Sequence, residues 1–219
     1  MSLPALAPAS APAAPDGRSA EILGRVRAAF AEKGFDGASM QDLARAAGMS
    51  VGNFYRYFPS KAAIVEGMIR LDLAEIEASF AAIMQSEAPL DSLRATLQDR
   101  VTGNCAADGR LWAEITAAAL RKPDIGAVAG QMEDEITRYM VTVFGRLAGL
   151  PAAEAAARFH AHATLIVMLV KAAAMHSARD DSAHQGAAAP DDRRADLTNL
   201  ILRTIDRTLG EIVASVAKG

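Results

Sequence analysis

The chain has 219 residues, of which 51% are hydrophobic and 22% charged, with a formal net charge of −3 and one cysteine. That apolar content excludes a disordered chain and suffices to bury a core in one or two packed units of about 100–200 residues each. A lone cysteine, Cys105, excludes a disulfide scaffold and fits a reducing compartment.

The N-terminal segment 1–17 is expected to be a flexible tail, because Pro4, Pro8, Pro12 and Pro15 interrupt it throughout. It lacks the basic n-region and unbroken apolar stretch of a secretory signal, and it holds no Arg or Lys with which to reach into a minor groove. From there the pattern is helical. Ile22, Val26, Ala29 and Phe30 recur at helical steps and Gly34 follows Lys33, which predicts a first helix over 19–33. Ser39-Met-Gln-Asp42 has the form of a capping box, opening a two-turn helix that turns Met40, Leu43, Ala44 and Ala47 inward and ends at Gly48. Ser50 caps a third short helix that stops before Pro59, and Ser60 caps a long fourth helix running to about Gln85. Further helices are predicted over 89–104, 109–121, 124–147, 152–178 and 192–217, and no stretch shows bounded strand alternation. The longest apolar stretch, Ala163 to Met175, is interrupted by Lys171 and falls short of the ~20 residues that span a bilayer, so a cytoplasmic protein outside the membrane is expected. The expected fold class is all-α, with three short N-terminal helices joined through the fourth to a larger bundle.

Two short helices meeting at Ala44 and Gly48 have the spacing of a helix-turn-helix, with a small residue where backbones approach and a glycine where the chain reverses. In the third helix, Phe54 and Phe58 share one side as core anchors, while Gly52, Asn53 and Arg56 project from the other and Tyr55 and Tyr57 flank the boundary. Such a surface suits a DNA groove better than a protein core. Glycine permits close approach, Arg and Asn offer donors to base edges, and Tyr hydroxyls reach phosphates. Lys61, in the first turn of helix four, opposes the helix dipole and is expected to face a phosphate.

Residues 18–64 resemble the DNA-binding domain of the TetR family of bacterial transcriptional regulators. The family's signature has the form I-A-x-x-A-G-V-S-x-G-T-L-Y-x-Y-F-x-S-K-x-x-L. Here it stands as Leu43-Ala44, Ala47-Gly48-Met49-Ser50, Gly52-Asn53-Phe54-Tyr55, Tyr57-Phe58, Ser60-Lys61 and Ile64. Each departure keeps the physical character of its position. The resemblance implies a homodimer that binds a palindromic operator through a helix-turn-helix, usually as a repressor released by a small molecule, here expected to be largely apolar. It implies neither enzyme, cofactor nor metal. The expected DNA-contact set is Ser39, Gln41, Ser50, Val51, Gly52, Asn53, Tyr55, Arg56, Tyr57 and Lys61. Residues 65–219 are then the ligand-binding and dimerisation domain. In the helices that line the family's pocket, the large or polarizable groups Met84, Trp112, Met132, Tyr139, Phe144, His162, Met168 and Met175 are the candidate ligand contacts.

The last two helices carry broad apolar faces, and Phe159, Ile166, Val170, Leu197, Ile201, Ile205, Leu209 and Ile212 are the candidate dimer contacts. Glu114, on an otherwise apolar helix, is either a buried polar contact or, as the preferred reading, a charge at the solvated surface. Charge is distributed to match. Residues 18–61 hold seven Lys/Arg (Arg18, Arg25, Arg27, Lys33, Arg45, Arg56, Lys61) against four acids (Glu21, Glu32, Asp36, Asp42), a net +3, while the chain as a whole is acidic. An enzyme lacks support, because His160 and His162 diverge on a helix, Cys105 has no sequence-near activating partner, and no nucleophile elbow or phosphate loop is present. A constitutive or architectural DNA binder without effector is the alternative reading.

Overall fold

A computed structural model describes residues 15–102, 106–183 and 192–216. Most of the expected tail, Cys105 and most of the loop before the last helix therefore lie outside the described residues. Among the described residues the fold is all-α: α1 (Gly17–Gly37), α2 (Met40–Ala46), α3 (Val51–Tyr57), α4 (Lys61–Gln85), α5 (Pro89–Thr102), α6 (Ala106–Ala119), α7 (Pro123–Ala148), α8 (Ala152–Ala183) and α9 (Asp192–Val216).

The caps read from the sequence are formed. Ser39 and Asp42 make the reciprocal capping box of α2, and the Ser50 and Ser60 hydroxyls accept the backbone N–H groups of Asn53 and Ala63 at 3.4 and 3.1 Å. Gly48 takes φ +67° in the turn between α2 and α3, in the left-handed region that favours glycine. The first helical ladder breaks at Gly34 (φ 71°, ψ 171°), the glycine expected to end it after Lys33, and a further short turn of helix then runs to Gly37.

Two buried clusters organise the chain. In the first, Leu23, Val26, Phe30, Leu43, Phe54, Ile64 and Met68 pack α1–α3 on the start of α4, and the same cluster continues into Leu111, Ile115 and Ala118 of α6 and Ile125 and Met132 of α7. Each large side chain in it contributes about 1.5–3 kcal/mol of burial. The three N-terminal helices are thus seated on the body through α6 as well as α4. The second cluster joins Phe80 and Ile83 of α4 to Tyr139 and Phe144 of α7, Phe159 and Ile166 of α8, and Ile205 and Leu209 of α9.

The stretch Ala152–Ser177 of α8 is long and apolar enough, by length and composition, to cross a membrane. This corrects the shorter 163–175 estimate, which stopped at the flanking polar residues. In the fold Ala155, Phe159, Ala163, Ile166 and Ala173 of this helix are buried against the other helices, and Lys171 pairs with Glu133 of α7.

Candidate nucleic-acid interface and internal cavity

The helix-turn-helix is held together by contacts visible residue by residue. Phe54 and Phe58 are buried with ring centroids 5.8 Å apart, and Met49 N–H bonds to Ala44 O at 2.9 Å across the turn. Asp42 accepts from Lys33 at 2.7 Å and from the Ser39 hydroxyl at 2.5 Å, which ties α1 to the start of α2. The Lys33 ammonium, followed by the Ser39 donors, holds the Asp42 carboxyl well below the usual carboxylate range.

Outward from this base stand Val51, Gly52, Asn53, Tyr55, Arg56 and Tyr57, all exposed on α3, with Ser39, Gln41 and Ser50 exposed at the helix starts. A Cβ added at Gly52 would meet nothing within 4 Å, so the missing side chain answers no packing need of the protein itself. It leaves room for something outside. Arg45, with a side chain 79% exposed on α2, joins this set as a further cation. Sequence reading passed it over, although its place off the Leu43, Ala44 and Ala47 side of a two-turn helix was a signal.

Lys61 is the exception. Its ammonium donates to Phe35 O at 2.6 Å and Asp36 O at 3.2 Å and lies 5.2 Å from the Phe35 ring centroid. The charge that opposes the dipole of α4 is therefore compensated by carbonyls at the end of α1, where a cation is favoured. No phosphate is needed to explain it.

Between α4, α5, α6, α7 and α8 lies a cavity of about 540 Å³. Phe80, Leu97, Trp112, Met132, Ile136 and Ile166 supply apolar wall, and charged groups interrupt it at Asp72, Glu75, Arg100, Glu133 and Lys171. Of the candidate ligand residues, Trp112 and Met132 line this space. The others sit elsewhere. Tyr139 is buried against Phe80 with ring centroids 5.6 Å apart, its phenol pushed up chiefly by burial, and Phe144 is buried against Phe159. His162 packs its ring on Phe159 with Nδ1 buried and unbonded. Met84 and Met175 are half-buried outside the lining, and Met168 is 61% exposed.

The wall was missed because periodicity marks a residue as buried without saying whether protein or empty space faces it. One signal existed in Lys171, a charge inside the most apolar stretch of the chain.

The candidate dimer residues are distributed differently from the expectation. Phe159, Ile166, Ile201, Ile205, Leu209 and Ile212 are buried within the protomer's own core, and Leu197 and Val170 are half-buried. Ile166 and Val170 line the cavity. The large apolar side chains left exposed on these two helices are Leu165 and Met168 of α8 and Leu200 and Val213 of α9.

Residues 22–68 match the family of bacterial regulatory proteins, tetR family. The HTH-type transcriptional repressor KstR2 of Rhodococcus jostii (strain RHA1) is 36% identical over 95 residues, 43% of this chain and 45% of the relative. The alignment thus spans about half the length of that curated relative. Among solved structures, Salmonella enterica GusR superposes with a TM-score of 0.67 at 22% identity, covering 90% of this chain and 98% of GusR. The transcriptional regulator FadR from Bacillus subtilis, in complex with stearoyl-CoA, superposes with a TM-score of 0.61 at 16% identity, covering 85% and 96%. The segment 22–68 is thus similar to the tetR family of bacterial regulatory proteins, and the all-α fold as a whole is shared with solved transcriptional regulators.

Proposed function

We propose that the protein is a DNA-binding transcriptional regulator of the bacterial cytoplasm, a repressor that binds a palindromic operator as a homodimer and is released by a small ligand. The observation that carries this reading is the exposed face of α3, where Gly52 is open to close approach beside Asn53, Arg56 and two tyrosines. α3 is the recognition helix, read into the major groove. The repressor sign follows the name of the KstR2 relative.

The ligand is an amphiphile. Apolar walls favour a hydrocarbon or ring body, and the charged residues among the lining give a polar end its partners. The stearoyl-CoA held by FadR is a molecule of that general kind. The second copy docks through the apolar side chains of α8 and α9 that stand exposed among the described residues, Leu165, Met168, Leu200 and Val213.

Selection of bound DNA from a random pool tests the reading. Enrichment of an inverted repeat with half-site centres ~34–36 Å apart, or a multiple of that, is the expected result. Recovery of unrelated sequences at the same salt would reject sequence-specific regulation.

A further inference from the structure

α1 is bonded to a wall of the cavity by a side chain that the sequence suggested was solvent-facing. Because the helix breaks at Gly34, the N–H of Phe35 leaves its α-helical ladder. It donates instead to Glu114 Oε2 of α6 at 3.2 Å, across 79 residues of chain. The fit is close: a Cβ at position 34 would stand 2.6 Å from that same oxygen. Around it the contacts converge. Phe35 is buried, and its ring lies 5.2 Å from the Lys61 ammonium and 5.1 Å from that of Lys122. Asp36 pairs with Arg121 at 3.1 Å and with Lys122 at 3.3 Å, both in the turn that joins α6 to α7.

The same helix faces the cavity, which Trp112, Ile115, Thr116 and Ala119 line. A second bond runs in parallel: Arg27 of α1 makes a bidentate pair, 2.8 and 3.1 Å, with Asp72 of α4, itself a cavity-lining residue.

From this convergence we infer that Glu114, assisted by Asp36, is a positioning residue that fixes the helix-turn-helix on the body, so that displacement of α6 by a ligand reaches the DNA surface through α1. The inference rests on the regulatory reading above and adds a route to it. Helix four, the covalent link, is not the sole connection. A carboxylate that caps a broken helix from another element transmits displacement only while the bond holds, so its loss should loosen the head without unfolding it.

The test uses the full-length chain with spin labels at Ala46→Cys and Ala127→Cys in a Cys105→Ser background, for pulsed-EPR distances between head and body. Unlabelled protein is used for amide exchange at Phe35 and for affinity toward the DNA selected above. Glu114→Ala should broaden the distance distribution, speed Phe35 amide exchange, and weaken DNA binding by roughly threefold to tenfold, the loss of about one hydrogen bond. Glu114→Gln keeps an acceptor oxygen and should restore all three, which a general packing defect would not allow.

An unchanged distance distribution together with unchanged DNA affinity in Glu114→Ala overturns the inference. Should that variant fail to fold, Asp36→Asn at the exposed end of the contact should broaden the distribution in the same sense, and a wild-type distribution there overturns it equally. If wild-type protein selects no DNA sequence, the regulatory reading fails, while the distances still judge the positioning role.

Discussion

Arg56 and Lys61 stand five residues apart and do different work. Arg56 is exposed on the outer face of α3 with no bonding partner among the described residues, so Arg56→Ala should leave thermal unfolding unchanged and cost about 1–3 kcal/mol of operator binding, read by fluorescence anisotropy. Lys61 donates to two carbonyls at the end of α1. Lys61→Ala should lower stability by roughly 1 kcal/mol and leave the salt dependence of DNA binding as it is. A salt slope reduced by about one unit would return Lys61 to the phosphate contacts.

Asp42 adds a pH dependence. Its carboxyl titrates below the unfolded value because Lys33 and Ser39 favour the charged form, so its stabilisation is complete above the unfolded pKa and disappears as pH falls through the depressed folded one. Acid unfolding followed by circular dichroism should therefore steepen below about pH 4. Asp42→Asn should unfold more readily at neutral pH and show a shallower acid slope.

At the scale of elements, α8 and α9 each bury an apolar stripe and leave large apolar side chains exposed beside it. Ile205 is on the inner one, 2% exposed in the cluster with Phe144 and Phe159. Ile205→Glu would bury an unpaired carboxylate in the protomer's core and should unfold the chain, at a cost of roughly 3 kcal/mol or more. Leu200, 53% exposed, and Met168 are on the outer sides. Sedimentation of Leu200→Glu or Met168→Glu should show a folded monomer that has lost tight operator binding. A dimer persisting in both would move the interface elsewhere on the molecule.

Across the whole molecule, the cavity and the exposed face of α3 proposed to read DNA are joined through α4 and α6, and linkage constrains what a ligand can do. A compound found by thermal shift that weakens operator binding must itself bind the operator complex more weakly than the free protein, by the same factor. Calorimetric titrations with and without operator DNA read that factor directly. Equal affinities would remove the compound as an inducer however tightly it bound, and tighter binding in the complex would make it a corepressor.

The helix-turn-helix was legible because everything that specifies it is local. The Ser39–Asp42 box, the Gly48 turn, the Ser50 cap and the Phe54/Phe58 spacing all fall within 20 residues and are set by backbone sterics and helical period. The all-α class and most helix ends followed from the same short-range rules. What the tertiary structure decided is which surface each apolar face meets. Period 3.6 marks Ile166, Ile205 and Trp112 alike as inward-facing, yet one side chain can abut a neighbour, a cavity or a second chain with the same spacing. The contacts of Lys61 and Glu114 were hidden for the same reason. Glu114 meets the Phe35 N–H freed by the break at Gly34 and Lys61 meets carbonyls at the end of α1, and such backbone groups acquire a partner only when another helix is packed beside them.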